Sequence, residues 1–177
     1  MKKPLIAVIT ILSAAALVMW LWKHGYFLPS WVTFQEKEIM LDEERTLSLT
    51  HRRLTDRIGD TVLYQTPDNW YVSDVLTDDF DEDGIQEVLF LVWRQGVYGA
   101  SHPFWENPDN DSFCQHLYIF EVRDSGLHRQ WMSSALRPMF AEWKIENHRL
   151  CIKDPYGESS VWKWHGFGVE RTDNQEN

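Results

Sequence analysis

Val75-Leu-Thr-Asp-Asp-Phe-Asp-Glu-Asp-Gly-Ile-Gln-Glu-Val-Leu-Phe-Leu91 is the stretch on which the reading of this chain turns. Counted from Asp79, carboxylates occupy positions 1, 3, 5 and 9, and Gly84 stands at position 6. A hard divalent cation such as Ca²⁺ gathers about six to eight oxygens at roughly 2.3–2.6 Å, and a tight loop of alternating acids can aim several at one point. Gly84 supplies a sharp bend that a residue with a β-carbon resists. The candidate metal ligands are therefore the carboxylates of Asp79, Asp81, Asp83 and Glu87 and the carbonyl of Ile85. Phe90 stands where an EF-hand would carry its last acid, and strand-like residues flank the loop, so the spacing predicts strand–loop–strand and not helix–loop–helix. The plainer reading is an acidic turn that keeps a hairpin soluble. Crowding this many like charges without a cation would destabilise it.

Working outward, Val88–Trp93 and Leu117–Phe120 are apolar on both faces, which predicts central, buried strands. Thr46–Thr50 alternates, and Thr61–Tyr64 is β-rich and ends at the turn cluster Thr66-Pro67-Asp68-Asn69. Ala141, Trp143 and Ile145 alternate with Glu142, Lys144 and Glu146, and Asn147-His148 then turns the chain into Leu150–Ile152, a hairpin pattern. Ser160–Trp164 and Phe167–Val169 supply a last strand, broken at Gly166. About eight short strands separated by turns predict an all-β fold, an antiparallel meander or small sandwich.

The 75–91 stretch resembles the calcium loop of FG-GAP repeats, the integrin-α-like β-propeller motif also called VCBS. There a strand runs into a D-x-D-x-D-G-x-x-D loop and a second strand leaves it. The resemblance implies ligands at Asp79, Asp81, Asp83, the Ile85 carbonyl and, in place of the final Asp, Glu87. It also implies a blade-like, partial-propeller arrangement in which Leu117–Phe120 is the next strand. The similarity covers residues 70–93, extending at most to 122. The chain is too short for a seven-bladed ring and holds no second D-x-D-x-D-G, so what the resemblance carries is the loop and one structural Ca²⁺.

The N-terminus has a different character. Leu5–Trp22 is an uncharged run of 18 residues, which as a helix would span about 27 Å against a hydrocarbon core of about 30 Å. Lys2 and Lys3 precede it, so the positive-inside rule places the N-terminus in the cytoplasm and the rest outside. Trp20, Trp22, Tyr26, Phe27 and Trp31 form an aromatic belt for the outer interface. The competing reading is a signal peptide cleaved after the small residues Ala14–Ala16, and it would leave a mature terminus still strongly apolar. The expected organisation is a transmembrane signal-anchor over 1–23, a juxtamembrane connector over 24–45, an extracytoplasmic β domain over 46–171 and a disordered tail over 172–177. Beyond Lys23 the chain carries 14 bases against 27 acids, a formal charge of −13. Such a surface is repelled by phosphate backbones and excludes nucleic acid as a partner.

Gln95 to Cys114 is long for a connection and too aromatic for disorder. Tyr98, His102, Phe104, Trp105, Asp109 and Asp111 are its candidate ligand-binding residues, the aromatic faces stacking on a polysaccharide or on an envelope protein. The alternative is a loop folded back to seal the core. Cys114 and Cys151 are the only cysteines, and an extracytoplasmic location permits a disulfide between them. Against pairing, Cys151 points away from the face of Leu150 and Ile152. The seven histidines show no zinc spacing, and no G-x-S-x-G elbow or phosphate loop is present. The reading is of a membrane-anchored, non-enzymatic interaction module with one structural calcium loop. A carbohydrate- or peptidoglycan-binding module, or a weak hydrolase using the 95–114 loop, is the alternative.

Overall fold

The computed structural model describes residues 2–23, 27–95 and 113–172. Helix α1 covers Lys2–Lys23, and among the described residues all other regular structure is β. Within α1 the side chains are described for residues 8–22, a shorter run than the uncharged stretch of the sequence. Among the described residues no helix is long and apolar enough to cross a membrane.

Among the described residues twelve strands follow in three consecutive groups of four, each an antiparallel sheet. The first sheet is β1 (Lys37–Met40), β2 (Arg45–Thr50), β3 (Arg53–Ile58) and β4 (Thr61–Gln65). The second is β5 (Tyr71–Asp78), β6 (Glu87–Gln95), β7 (Phe113–Arg123) and β8 (Gly126–Met132). The third is β9 (Glu142–Glu146), β10 (Arg149–Lys153), β11 (Ser159–Trp164) and β12 (Val169–Arg171). In every sheet the strands neighbour one another in chain order, so each is a simple meander.

The second sheet is the middle layer. On one face Val72, Val75, Val88, Phe90, Val92, Tyr118 and Phe120 meet Leu47, Leu49 and Leu54 of the first sheet. On the other, Leu89, Leu91, Leu117 and Ile119 meet Leu150 and Ile152 of the third, together with Phe80 and Phe140. This is why β6 reads as an unbroken apolar run: alternate side chains enter two different cores. The expectation of central, buried strands over Val88–Trp93 and Leu117–Phe120 holds, and both strands are longer than their apolar centres.

Four strands were not anticipated as such: β1, β3, β8 and a separate β12. β1 lies inside the stretch read as a connector, where it forms an edge strand on β2. β3, Arg53-Leu-Thr-Asp-Arg-Ile, hides its pattern because its buried residues include Thr55 and Asp56. Asp56 is buried by pairing with Arg45, whose Nε and Nη2 donate to Oδ1 and Oδ2 at 2.9 and 2.7 Å. Arg45 Nη1 also donates to the carbonyl of Arg123 at 2.7 Å, fastening the first sheet to the far end of β7. Hydrogen bonding to Asp56 pushes the Arg45 guanidinium further up. The anticipated β9–β10 hairpin forms as read: Asn147 and His148 sit at φ 51° and 56°, the left-handed pair that a two-residue turn requires.

Tyr98, His102, Phe104, Trp105, Asp109 and Asp111 lie outside the described residues, as do 173–177. Phe113 opens β7, its ring 5.3 Å from that of Tyr71. Neither cysteine is in a disulfide: Cys114 lies on β7 of the middle sheet and Cys151 on β10 of the third.

Candidate metal centre

β5 delivers the chain to Asp78, which pairs in register with Glu87 at the start of β6, so the acidic loop closes the β5–β6 hairpin. Phe80 pins the loop by inserting between the second and third sheets, only 2% exposed. Gly84 has φ 89° with open space where a Cβ would stand, so it is the backbone angle, not crowding, that calls for glycine. Its N–H donates to Asp79 Oδ1 and Oδ2 at 3.3 and 3.2 Å.

Three carboxylates converge. Asp79, Asp81 and Glu87 each offer an oxygen within 4.8 Å of the other two. Asp83 is not part of this cluster, and its Oδ1 accepts from the N–H of Ile85 at 2.8 Å, stiffening the bend. Ile85 stands at the loop's outer edge, 38% exposed. The structure thus brings together three of the four acids read from sequence and gives Asp83 a local role in the turn.

Glu87 is the unusual member. Its side chain is fully buried, and Oε2 accepts from the N–H groups of Phe80 at 2.7 Å and Asp81 at 3.4 Å. Oε1 is buried with no hydrogen-bond partner. Burial, with the nearby charges of Asp81 and Asp83 adding to it, pushes its carboxyl up to about 7. Burial also raises Asp81, against the opposing hydrogen bond from Gln130. A buried carboxyl oxygen without a partner is costly, and Asp79 and Asp81 stand close enough to share a cation with it. Three carboxylate oxygens suit a hard ion such as Ca²⁺.

Two residues that sequence reasoning missed hold the β5–β6 hairpin from elsewhere in the fold. Gln130 on β8 donates through Nε2 to Asp81 Oδ2 at 2.7 Å, while its own Oε1 is buried and unpaired. His148, at the β9–β10 turn, contacts Asp78 Oδ2 through Nδ1 at 3.1 Å, and the Asp78 charge raises the imidazole above its ordinary range. They stand 49 and 70 residues from their partners, and no local pattern could have announced them.

Compared with protein-family models, with curated proteins and with solved structures, the chain matches none.

Proposed function

We propose that this chain is a membrane-anchored, non-enzymatic β module held outside the cytoplasm, whose acidic hairpin is braced by one Ca²⁺ and which presents its surface to an envelope partner. The observation that carries the calcium reading is the buried, unpartnered Oε1 of Glu87 beside Asp79 and Asp81. Asp79, Asp81 and Glu87 would hold the ion, with further oxygens drawn from Asp83, the Ile85 carbonyl or water. The resemblance of 75–91 to integrin-α-like loops supports the same assignment, as do three successive four-stranded meanders stacked like blades. Bound there, the ion neutralises the loop and ties β5 to β6, next to the contacts of Gln130 and His148 that join the hairpin to β8 and the third sheet. Its task is structural.

Thermal melts of the full chain in detergent, with Ca²⁺ and with chelator, test the site. At free Ca²⁺ of one hundred times Kd, binding contributes about 2.7 kcal/mol, which for a domain of this size raises Tm by roughly 5–10 °C. An unchanged midpoint at millimolar Ca²⁺ removes the metal from the account.

The anchor is supported by the uncharged run Leu5–Trp22, by the helix over Lys2–Lys23 and by the lysines before the run. Protease added to intact cells should degrade the β domain. A domain protected until the membrane is breached would contradict the orientation.

A further inference from the structure

Away from the acidic loop, at the opposite end of β6 and β7, a cysteine and a histidine form a pair whose protonation the backbone dictates. Cys114 and His116 are two residues apart on β7 and therefore share one face of the sheet. Cys114 Sγ lies 3.3 Å from His116 Nε2. The other ring nitrogen, Nδ1, lies 3.1 Å from the carbonyl oxygen of Ser133. A carbonyl only accepts, so Nδ1 must carry the proton, and in the neutral ring Nε2 is left as the acceptor facing sulfur.

The orienting carbonyl is itself held in place. Ser133 donates its N–H to Leu117 O at 2.9 Å, accepts from Leu117 N at 2.8 Å and donates Oγ–H to Ser134 O at 2.7 Å. His116 is 3% exposed, with its ring 5.8 Å from that of Tyr118, whereas Cys114 is half-buried. Arg94 is the register partner of Cys114 on β6, so both side chains occupy the same face. Its guanidinium donates to Gln95 O at 3.0 Å and to Tyr118 Oη at 3.3 Å. Its Cζ also lies 5.4 Å from the Trp70 ring centroid, so among the described residues Arg94 and Tyr118 are the charged and titratable groups on this face of the sheet.

We propose that Cys114 is a nucleophilic thiol, with His116 as its base, and a site of mixed-disulfide formation with low-molecular-weight disulfides. A thiol within reach of a base that a third group orients is the arrangement that activates cysteine. In the step, the Cys114 proton moves to His116 Nε2 and Sγ attacks one sulfur of the disulfide. The Sγ–S bond forms as the S–S bond breaks, and the electron pair leaves on the other sulfur. That thiolate takes the proton back from Nε2, so one thiol and one disulfide give one mixed disulfide and one new thiol. A histidine satisfied in a core beside an inert thiol is the competing account, with the thiol proton directed to Arg94 O, 3.8 Å from Sγ.

The chain contains its own control. Cys151 has a carboxylate, Glu146 Oε2 at 3.9 Å, where Cys114 has an imidazole. The full chain is treated with glutathione disulfide across a pH series, and modification is assigned by mass and peptide mapping. Cys114 is expected to react about tenfold faster than Cys151 at neutral pH, its rate already high below the ordinary thiol range near ~8.5. His116→Gln, with its fold checked by circular dichroism, should lower the Cys114 rate about tenfold and move its pH profile up to the ordinary range. Equal rates and superimposable pH profiles for the two cysteines of the wild-type chain overturn the proposal, whatever the variant does. A folded His116→Gln protein that reacts like wild type overturns it too.

Discussion

Asp56→Ala is expected to cost about 3–5 kcal/mol of folding stability, the range found when one partner of a buried ion pair is removed. The side chains of Arg45 and Asp56 are 5% and 0% exposed and meet in a two-pronged contact. Taking away the carboxylate leaves a buried guanidinium whose remaining hydrogen bond is to the Arg123 carbonyl, with only the more distant charges of Asp42 and Asp124 to offset it. Arg45 cannot escape by shedding its proton, because a guanidinium stays charged at any ordinary pH. The loss should appear as a lower urea midpoint with an unchanged slope, since the surface exposed on unfolding is the same. It should resist added salt, because the pair is screened from solvent. The double change Arg45→Met with Asp56→Leu is expected to recover most of the stability, since apolar residues of similar volume replace such pairs with little loss. A single Asp56→Ala variant within about 1 kcal/mol of wild type, the worth of an exposed pair, would show that the two charges are solvated.

The second large effect concerns Glu87 and, if the proposed calcium site is occupied, reverses sign with the metal. In the unfolded chain its pKa returns to an ordinary 4.5, while in the folded, metal-free protein burial holds it at about 7. Its contribution to stability is therefore fully present below pH 4.5 and is lost as pH rises through 7. The loss approaches about 3 kcal/mol by pH 8 at about 1.36 kcal/mol per pH unit. Ca²⁺ binds the ionised carboxylate, so saturating metal should abolish this decline and make the protein more stable at pH 8 than at pH 5. Glu87→Gln preserves size and removes the charge. It is expected to flatten the chelator curve and to cancel the Ca²⁺-induced rise in Tm. Melts at pH 5 and pH 8, with Ca²⁺ and with chelator, on both proteins give the full set. Glu87→Gln that keeps an undiminished calcium shift would exclude Glu87 as a ligand.

Much of the architecture is legible along the chain. Val88–Trp93 and Leu117–Phe120 carry no polar face, and that alone requires a sheet covered on both sides. Asn147-His148 between two alternating segments announces a tight hairpin, because few residue pairs accept two left-handed backbone angles in succession. The acidic loop is readable for a similar reason, since its acids and glycine act within nine consecutive residues. Two of the strands that escaped notice lack a clean apolar alternation. β3 conceals Asp56, and β1 exposes alternate residues at a sheet edge. Hydrophobic periodicity detects neither.

The local order of this protein, including its strands, turns and crowded carboxylates, was therefore set within windows of ten residues or fewer, where side-chain alternation and backbone angles act. Only the folded chain decided which polar groups are enclosed together. Arg45 reaches Asp56 and the Arg123 carbonyl, Gln130 reaches Asp81, His148 reaches Asp78, and the Ser133 carbonyl turns His116 toward Cys114. Those partners lie 11 to 78 residues apart and meet through strand register and the stacking of three sheets. Burial removes the water that would otherwise satisfy Arg45, Asp56 and His116, while His148 meets Asp78 nearer the surface, and all of these pairings follow from tertiary packing and leave no periodic trace in the sequence.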